Sequence, residues 1–142
     1  MDADYPRKWV NFARRLTPAA YNNWGNALSG LGRYEEALEK YGKAIELKPD
    51  LAKAYYNWGY TLNGLGKYNE AIEKYNKAIE LKPDYREAYY NRGIAYNTIC
   101  NYKLATNDFR IAAKLGLKAA QDYLMNPRGG INPVSGLQHA RF

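Results

Sequence analysis

Residues Ala52 to Tyr85 read AKAYYNWGYTLNGLGKYNEAIEKYNKAIELKPDY, and a shift of 34 residues lays them on Pro18 to Leu51 with 23 of 34 positions identical. A fixed period of that length marks stacked supersecondary units, each unable to bury its apolar flank alone. In the second copy Ala54, Tyr55, Trp58, Gly59 and Leu62 recur at steps of one, three, one and three. That is one stripe of a helix running from about Ala52 to Leu65. Gly64-Leu65-Gly66 ends it, because glycine enters the left-handed region without a Cβ penalty. Tyr68, Ala71, Ile72, Tyr75, Ala78, Ile79 and Leu81 give a second stripe. Lys82-Pro83-Asp84 stops that one, since proline cannot continue a helix and disfavours helical backbone just before it. Two such helices joined by two or three residues form an antiparallel hairpin.

These positions resemble the tetratricopeptide repeat family. The second copy supplies Tyr55, Trp58, Gly59, Leu62, Gly66, Tyr68, Ala71, Tyr75, Ala78 and Pro83. The first supplies Tyr21, Trp24, Gly25, Leu28, Gly32, Tyr34, Ala37, Tyr41, Ala44 and Pro49. A third copy, Arg86 to Ala119, keeps Tyr89, Gly93, Tyr102, Ala105, Phe109 and Ala112 but matches the second at only 10 of 34 positions. There Arg92 replaces Trp58, Thr98 replaces Gly64, Cys100 replaces Gly66 and Leu117 replaces Pro83. Terminal repeats are expected to deviate in this way, because one flank meets solvent or a cap. The resemblance implies an all-α, right-handed superhelical solenoid of three helix pairs, over residues 18–51, 52–85 and 86–119. It also explains much of the tyrosine content, 15 residues, as large rings that fill gaps while their hydroxyls reach water.

The flanks read as caps. Residues 1–17 fit one amphipathic helix, with Asp4 as N-cap and Tyr5, Trp9, Phe12, Ala13 and Leu16 on one side. A membrane-surface or anionic-partner helix is the alternative, weakened by its short length and two aspartates. Ala119, Ala120, Tyr123 and Leu124 suggest a short closing helix that ends across residues 120–125. From Asn126 onward, NPRGGINPVSGLQHARF has no apolar period and reads as an extended tail over 126–142. Its Ile131, Val134, Leu137 and Phe142 could dock into a groove.

The net charge of +7 is dispersed among interleaved Lys and Glu rather than gathered into the stripe that nucleic-acid binding requires. Nucleic acid is therefore an unlikely partner. No apolar run approaches the roughly 18 residues of a membrane span, and one cysteine excludes an internal disulfide framework, so a cytoplasmic setting is expected. Cys100 lacks a catalytic partner, as the single histidine, His139, stands far along the chain. Glu35, Glu36 and Glu39, and likewise Glu70 and Glu73, form carboxylate clusters beside Lys40, Lys74 and Lys77, as in exposed helix pairing. No enzyme, cofactor or metal signature stands out.

Binding is the expected role. In the family the first helix of each pair lines a concave groove that holds an extended peptide or a partner helix. By position this assigns Asn22, Asn26 and Ser29 from the first repeat, and Lys53, Tyr56, Asn57, Tyr60 and Asn63 from the second. The third contributes Glu87, Tyr90, Asn91, Ile94 and Asn97. Asparagine side chains can donate and accept toward a peptide backbone, and tyrosines give contact area at low entropy cost. Members that clamp acidic chaperone tails place cations where Asn22, Glu87 and Asn91 stand here, so no such clamp is expected even though Asn26 and Asn57 fill its asparagine positions. A structural unit that self-associates end to end is the second reading, because near-identical repeats present similar flanks.

Overall fold

The computed structural model describes residues 16–126. The expected N-terminal cap at 1–17, apart from its last two residues, and the tail beyond Asn126 lie outside that range. Seven helices and no strands are found among the described residues. They are α1 (Pro18–Gly30), α2 (Tyr34–Leu47), α3 (Ala52–Gly64), α4 (Tyr68–Leu81), α5 (Arg86–Thr98), α6 (Tyr102–Lys114) and α7 (Lys118–Met125). Each packs on its neighbours in sequence, and the first helices of successive pairs, α1 with α3 and α3 with α5, also touch. The molecule is a helical-repeat solenoid. None of the described helices is long and apolar enough to cross a membrane.

Local chemistry sets the helix ends. Thr17 caps α1, its Oγ1 accepting from the Ala20 amide at 3.1 Å, with Pro18 at the first turn where its missing N–H is harmless. Each first helix closes by the same paired bonds across a left-handed residue. After α3, the Lys67 amide reaches the Leu62 carbonyl at 2.9 Å and the Gly66 amide the Asn63 carbonyl at 3.0 Å. This is the Schellman arrangement, and it requires positive φ at the penultimate residue. Gly32 and Gly66 meet that demand at +77° and +76°. Cys100 takes the same slot in the third repeat at +65°, the one described non-glycine residue with positive φ.

Inside a pair, small residues set the distance between helix axes. Gly25, Gly59 and Gly93 lie against the rings of Tyr41, Tyr75 and Phe109; a Cβ on Gly59 would stand 2.7 Å from the Tyr75 Cε1 atom. The core of the second pair gathers Leu62, Ala71, Tyr75 and Ala78 with Tyr85, which precedes α5, and Ala88 of the third pair. A cluster of Leu28, Ala37 and Tyr41 does the same in the first pair and is joined by Trp58 of the next. The core is therefore continuous across repeat boundaries, as stacking demands.

The lysines depart from expectation. Lys40 and Lys74 do not pair with their neighbouring glutamates. Their ammonium groups lie over the rings of Trp24 and Trp58, 4.1 and 4.0 Å from the centroids, where the ring quadrupole attracts them. On the second helices, the surface ion pairs include Lys77–Glu80, and Arg33 pairs with Glu36 across the start of α2. In the third repeat, Arg92 holds the tryptophan position and Asp108 the lysine position. The guanidinium grips the carboxylate with bonds of 2.8 and 2.7 Å. One cross-pair clasp has been exchanged for another.

Candidate peptide-binding groove

The first helices α1, α3 and α5 stand side by side, so residues at equivalent positions form columns running across the stack. Along them runs a cavity of about 960 Å³. Of the expected site residues, Asn26, Ser29, Tyr56, Asn57, Tyr60, Asn63, Asn91 and Ile94 line it. Tyr60 is the most open of the described aromatic residues, 58% exposed.

The others fall outside the lining. Asn22 and Asn97 are buried, at 3% and 4% exposure, which corrects their expected presentation to a ligand. Asn22 faces the neighbouring helix, its Oδ1 accepting from Asn57 Nδ2 at 2.9 Å. Asn97 is enclosed within the third pair, on α5, with neither side-chain polar atom bonded. Its counterpart Asn63 donates to the Tyr75 hydroxyl at 2.9 Å, but Phe109 in the third repeat offers no hydroxyl. Lys53 is exposed, Glu87 pairs with Arg86 at 3.2 Å, and Tyr90 packs on the Phe109 ring at 5.5 Å between centroids.

Asparagines that do line the groove are largely engaged with the protein. Asn91 Nδ2 donates to the Tyr56 hydroxyl at 2.9 Å and to the Glu87 carbonyl at 3.0 Å. Asn26 Oδ1 accepts from the Tyr41 hydroxyl at 2.8 Å. The bonds from Asn57 to Asn22 and from Asn91 to Tyr56 join the same two repeat positions, one period apart, so they form two rungs of one ladder. Tyr56 is wedged among Tyr60, Tyr75 and Tyr85, the last at 5.0 Å between centroids. Burial pushes its hydroxyl up to about 12, with Glu87 adding to the effect and the Asn91 bond opposing it. Burial raises Tyr75, Tyr85 and Tyr41 as well, so these phenols stay neutral hydrogen-bonding groups at ordinary pH.

Sequence reasoning confined the lining to first helices and missed Tyr34, Tyr41 and Tyr68 of the second helices, together with Gly30, Gly64 and Thr98. A signal was present. Tyr34 and Tyr68 open their helices two residues after a left-handed glycine, a turn that brings the chain back over the end of the first helices. Tyr34 does so at Gly64 of the next repeat, where a Cβ would stand 3.4 Å from its ring. Among the described residues no cluster of His, Cys, Asp or Glu is placed to hold a metal ion.

A solenoid of helical hairpins with a groove along its first helices defines a class of repeat protein. The TPR repeat family matches residues 25–66 and 59–98, more than half of the chain, and the chain belongs to that family. Its fold is similar to MamA, at 30% identity over 75% of this chain and 62% of that one, with a TM-score of 0.68. It thus spans less than two thirds of the MamA chain. The Arabidopsis OM64 TPR domain is similar at 27% identity over 79% of this chain and 94% of that domain, with a TM-score of 0.74. The second TPR of Spaghetti (RPAP3), solved bound to the HSP90 peptide SRMEEVD, shares 26% identity over 72% of this chain and 95% of that domain, with a TM-score of 0.69. No curated protein matches the chain.

Proposed function

We propose that this protein is a non-catalytic interaction module that holds an extended peptide segment in the groove across α1, α3 and α5. One observation carries the reading: a single cavity takes its lining from the first helices of all three pairs, with exposed Tyr60 contributed by the middle one, α3. A surface assembled from three repeats suits a ligand that runs along the stack. The peptide complex of the similar Spaghetti domain supports the same direction, and the TPR fold generally serves protein interaction rather than catalysis. Peptides selected from a random library against the full chain test it. They should lose at least about tenfold in affinity on Tyr60→Ala, the loss typical of an aromatic hot spot. Selected peptides that bind both forms equally would place recognition elsewhere.

A second reading has an observation of its own. Trp24, Leu31 and Leu47 of the first pair are 45%, 72% and 55% exposed, whereas their counterparts Trp58, Leu65 and Leu81 are partly covered. A second copy seated on that flank would bury them. Sedimentation should then show mass growing with concentration in the wild type and reduced growth in a Trp24→Ser/Leu31→Ser variant; constant mass excludes it.

A further inference from the structure

The groove's chemistry narrows the peptide it would take, an inference that rests on the groove being the binding surface. None of the residues lining the cavity is charged. A ligand carboxylate or ammonium would be stripped of water there without a counter-charge, and burying an unpaired charge is strongly unfavourable. An acidic segment such as SRMEEVD, held by the similar Spaghetti domain, finds no cation in this lining.

The ladder of amides adds spacing. With Asn57 Nδ2 directed to Asn22 and Asn91 Nδ2 to Tyr56, both carboxamides are held in place and each keeps Oδ1 as an acceptor. The two oxygens occupy the same position on adjacent helices, and packed helices lie about 8–10 Å apart. A polyproline II segment advances about 9 Å in three residues and repeats its orientation at each third residue. Amides at i and i+3 of such a segment would meet both acceptors. Rings of Tyr56, Tyr60 and Tyr68 line the same cavity, and aromatic-lined grooves suit proline rings held in a conformation that is already ordered.

We propose that the groove takes an uncharged, proline-rich segment in the polyproline II conformation, with non-proline residues three apart whose amides bond to Asn57 and Asn91. Fluorescence anisotropy on the full chain tests this with four labelled peptides: a neutral proline-rich octapeptide with non-proline residues at every third position, its copy with glycine for proline, its copy with two glutamates, and SRMEEVD. The neutral proline-rich peptide should bind at least about tenfold more tightly than the other three and weaken about tenfold on Tyr60→Ala, with an unchanged thermal midpoint because Tyr60 is exposed. Equal binding of the glycine copy overturns the polyproline conformation. Tighter binding of either acidic peptide that still depends on Tyr60 overturns the ligand class and leaves the groove standing. Binding indifferent to Tyr60→Ala removes the groove reading itself, and no binding by any peptide overturns the proposal.

Discussion

Cys100 shows how one position can be strained by a single missing glycine. The Schellman closure of α5 is formed, with the Asn101 amide on the Tyr96 carbonyl at 2.8 Å, yet a side chain occupies the left-handed slot at φ +65°. Cys100→Gly should raise stability by about 1 kcal/mol, read as a higher urea midpoint; a fall would mean that the thiol makes a compensating contact. This position was legible from the alignment of Cys100 on Gly66. Asn97 was not, because Asn63 and Asn97 are the same letter at the same place in the repeat, and their fates differ through the partner ring. The Tyr75 hydroxyl accepts from Asn63 Nδ2, and Phe109 has no hydroxyl to do so for Asn97. Phe109→Tyr should supply the missing partner and stabilise by about 1 kcal/mol, checked by the same denaturation; a loss would show that the hydroxyl has no room. In the opposite sense, Gly59→Ala forces a Cβ to within 2.7 Å of the Tyr75 ring and should cost about 1–3 kcal/mol.

At the scale of elements, each pair of helices is clasped across its seam by the residue at the tryptophan position and the residue sixteen further on. The first two repeats use Trp24 with Lys40 and Trp58 with Lys74. The third uses Arg92 with Asp108, whose side chains are 17% and 2% exposed. Burial raises the Asp108 carboxyl and Arg92 opposes that rise. Removing one partner leaves the other charge buried, so Asp108→Ala should destabilise by about 3–5 kcal/mol. Arg92→Trp combined with Asp108→Lys recreates the clasp of the other repeats and should recover most of the loss in a double-mutant cycle. Additive losses would show that the two positions do not form one unit. Helix periodicity revealed the lysines but matched them with the glutamates on their own helix. It describes a single helix, whereas the tryptophans that attract Lys40 and Lys74 sit on another. Helix limits were far more legible, since Pro83, Gly66 and Gly32 act on their immediate neighbours.

For the whole molecule, the stacked architecture was readable from the repeat because apolar flanks at a fixed period can be buried only against one another. The groove was half readable. Column positions such as Asn57, Asn91, Tyr56 and Tyr60 follow from the first helices alone. Which side chains turn toward the cavity depends on cross-repeat bonds, and Asn22 was lost to one. Packing many tyrosines into the seams also fixes how the solenoid responds to alkali. Burial raises Tyr75 and Tyr85 above the usual phenol range, and Tyr56 to about 12. Their folded-state values exceed the unfolded value near 10, so their contribution to stability is complete below pH 10 and lost as pH rises beyond it. Each of the well-buried pair, Tyr75 and Tyr85, should remove about 1.4 kcal/mol per pH unit above that point. Thermal midpoints recorded from pH 8 to 11.5 should be flat and then fall steeply; a midpoint that holds to pH 11.5 would contradict the burial.

The account stands on the row of first helices acting as the binding surface. Amide chemical-shift mapping of the full chain against a neutral proline-rich peptide tests that most directly. Perturbations should concentrate at Asn57, Tyr60, Asn91 and Ile94 and their immediate neighbours. Shifts gathered instead around Trp24, Lys40 and Leu47, with the groove residues unmoved, would contradict it.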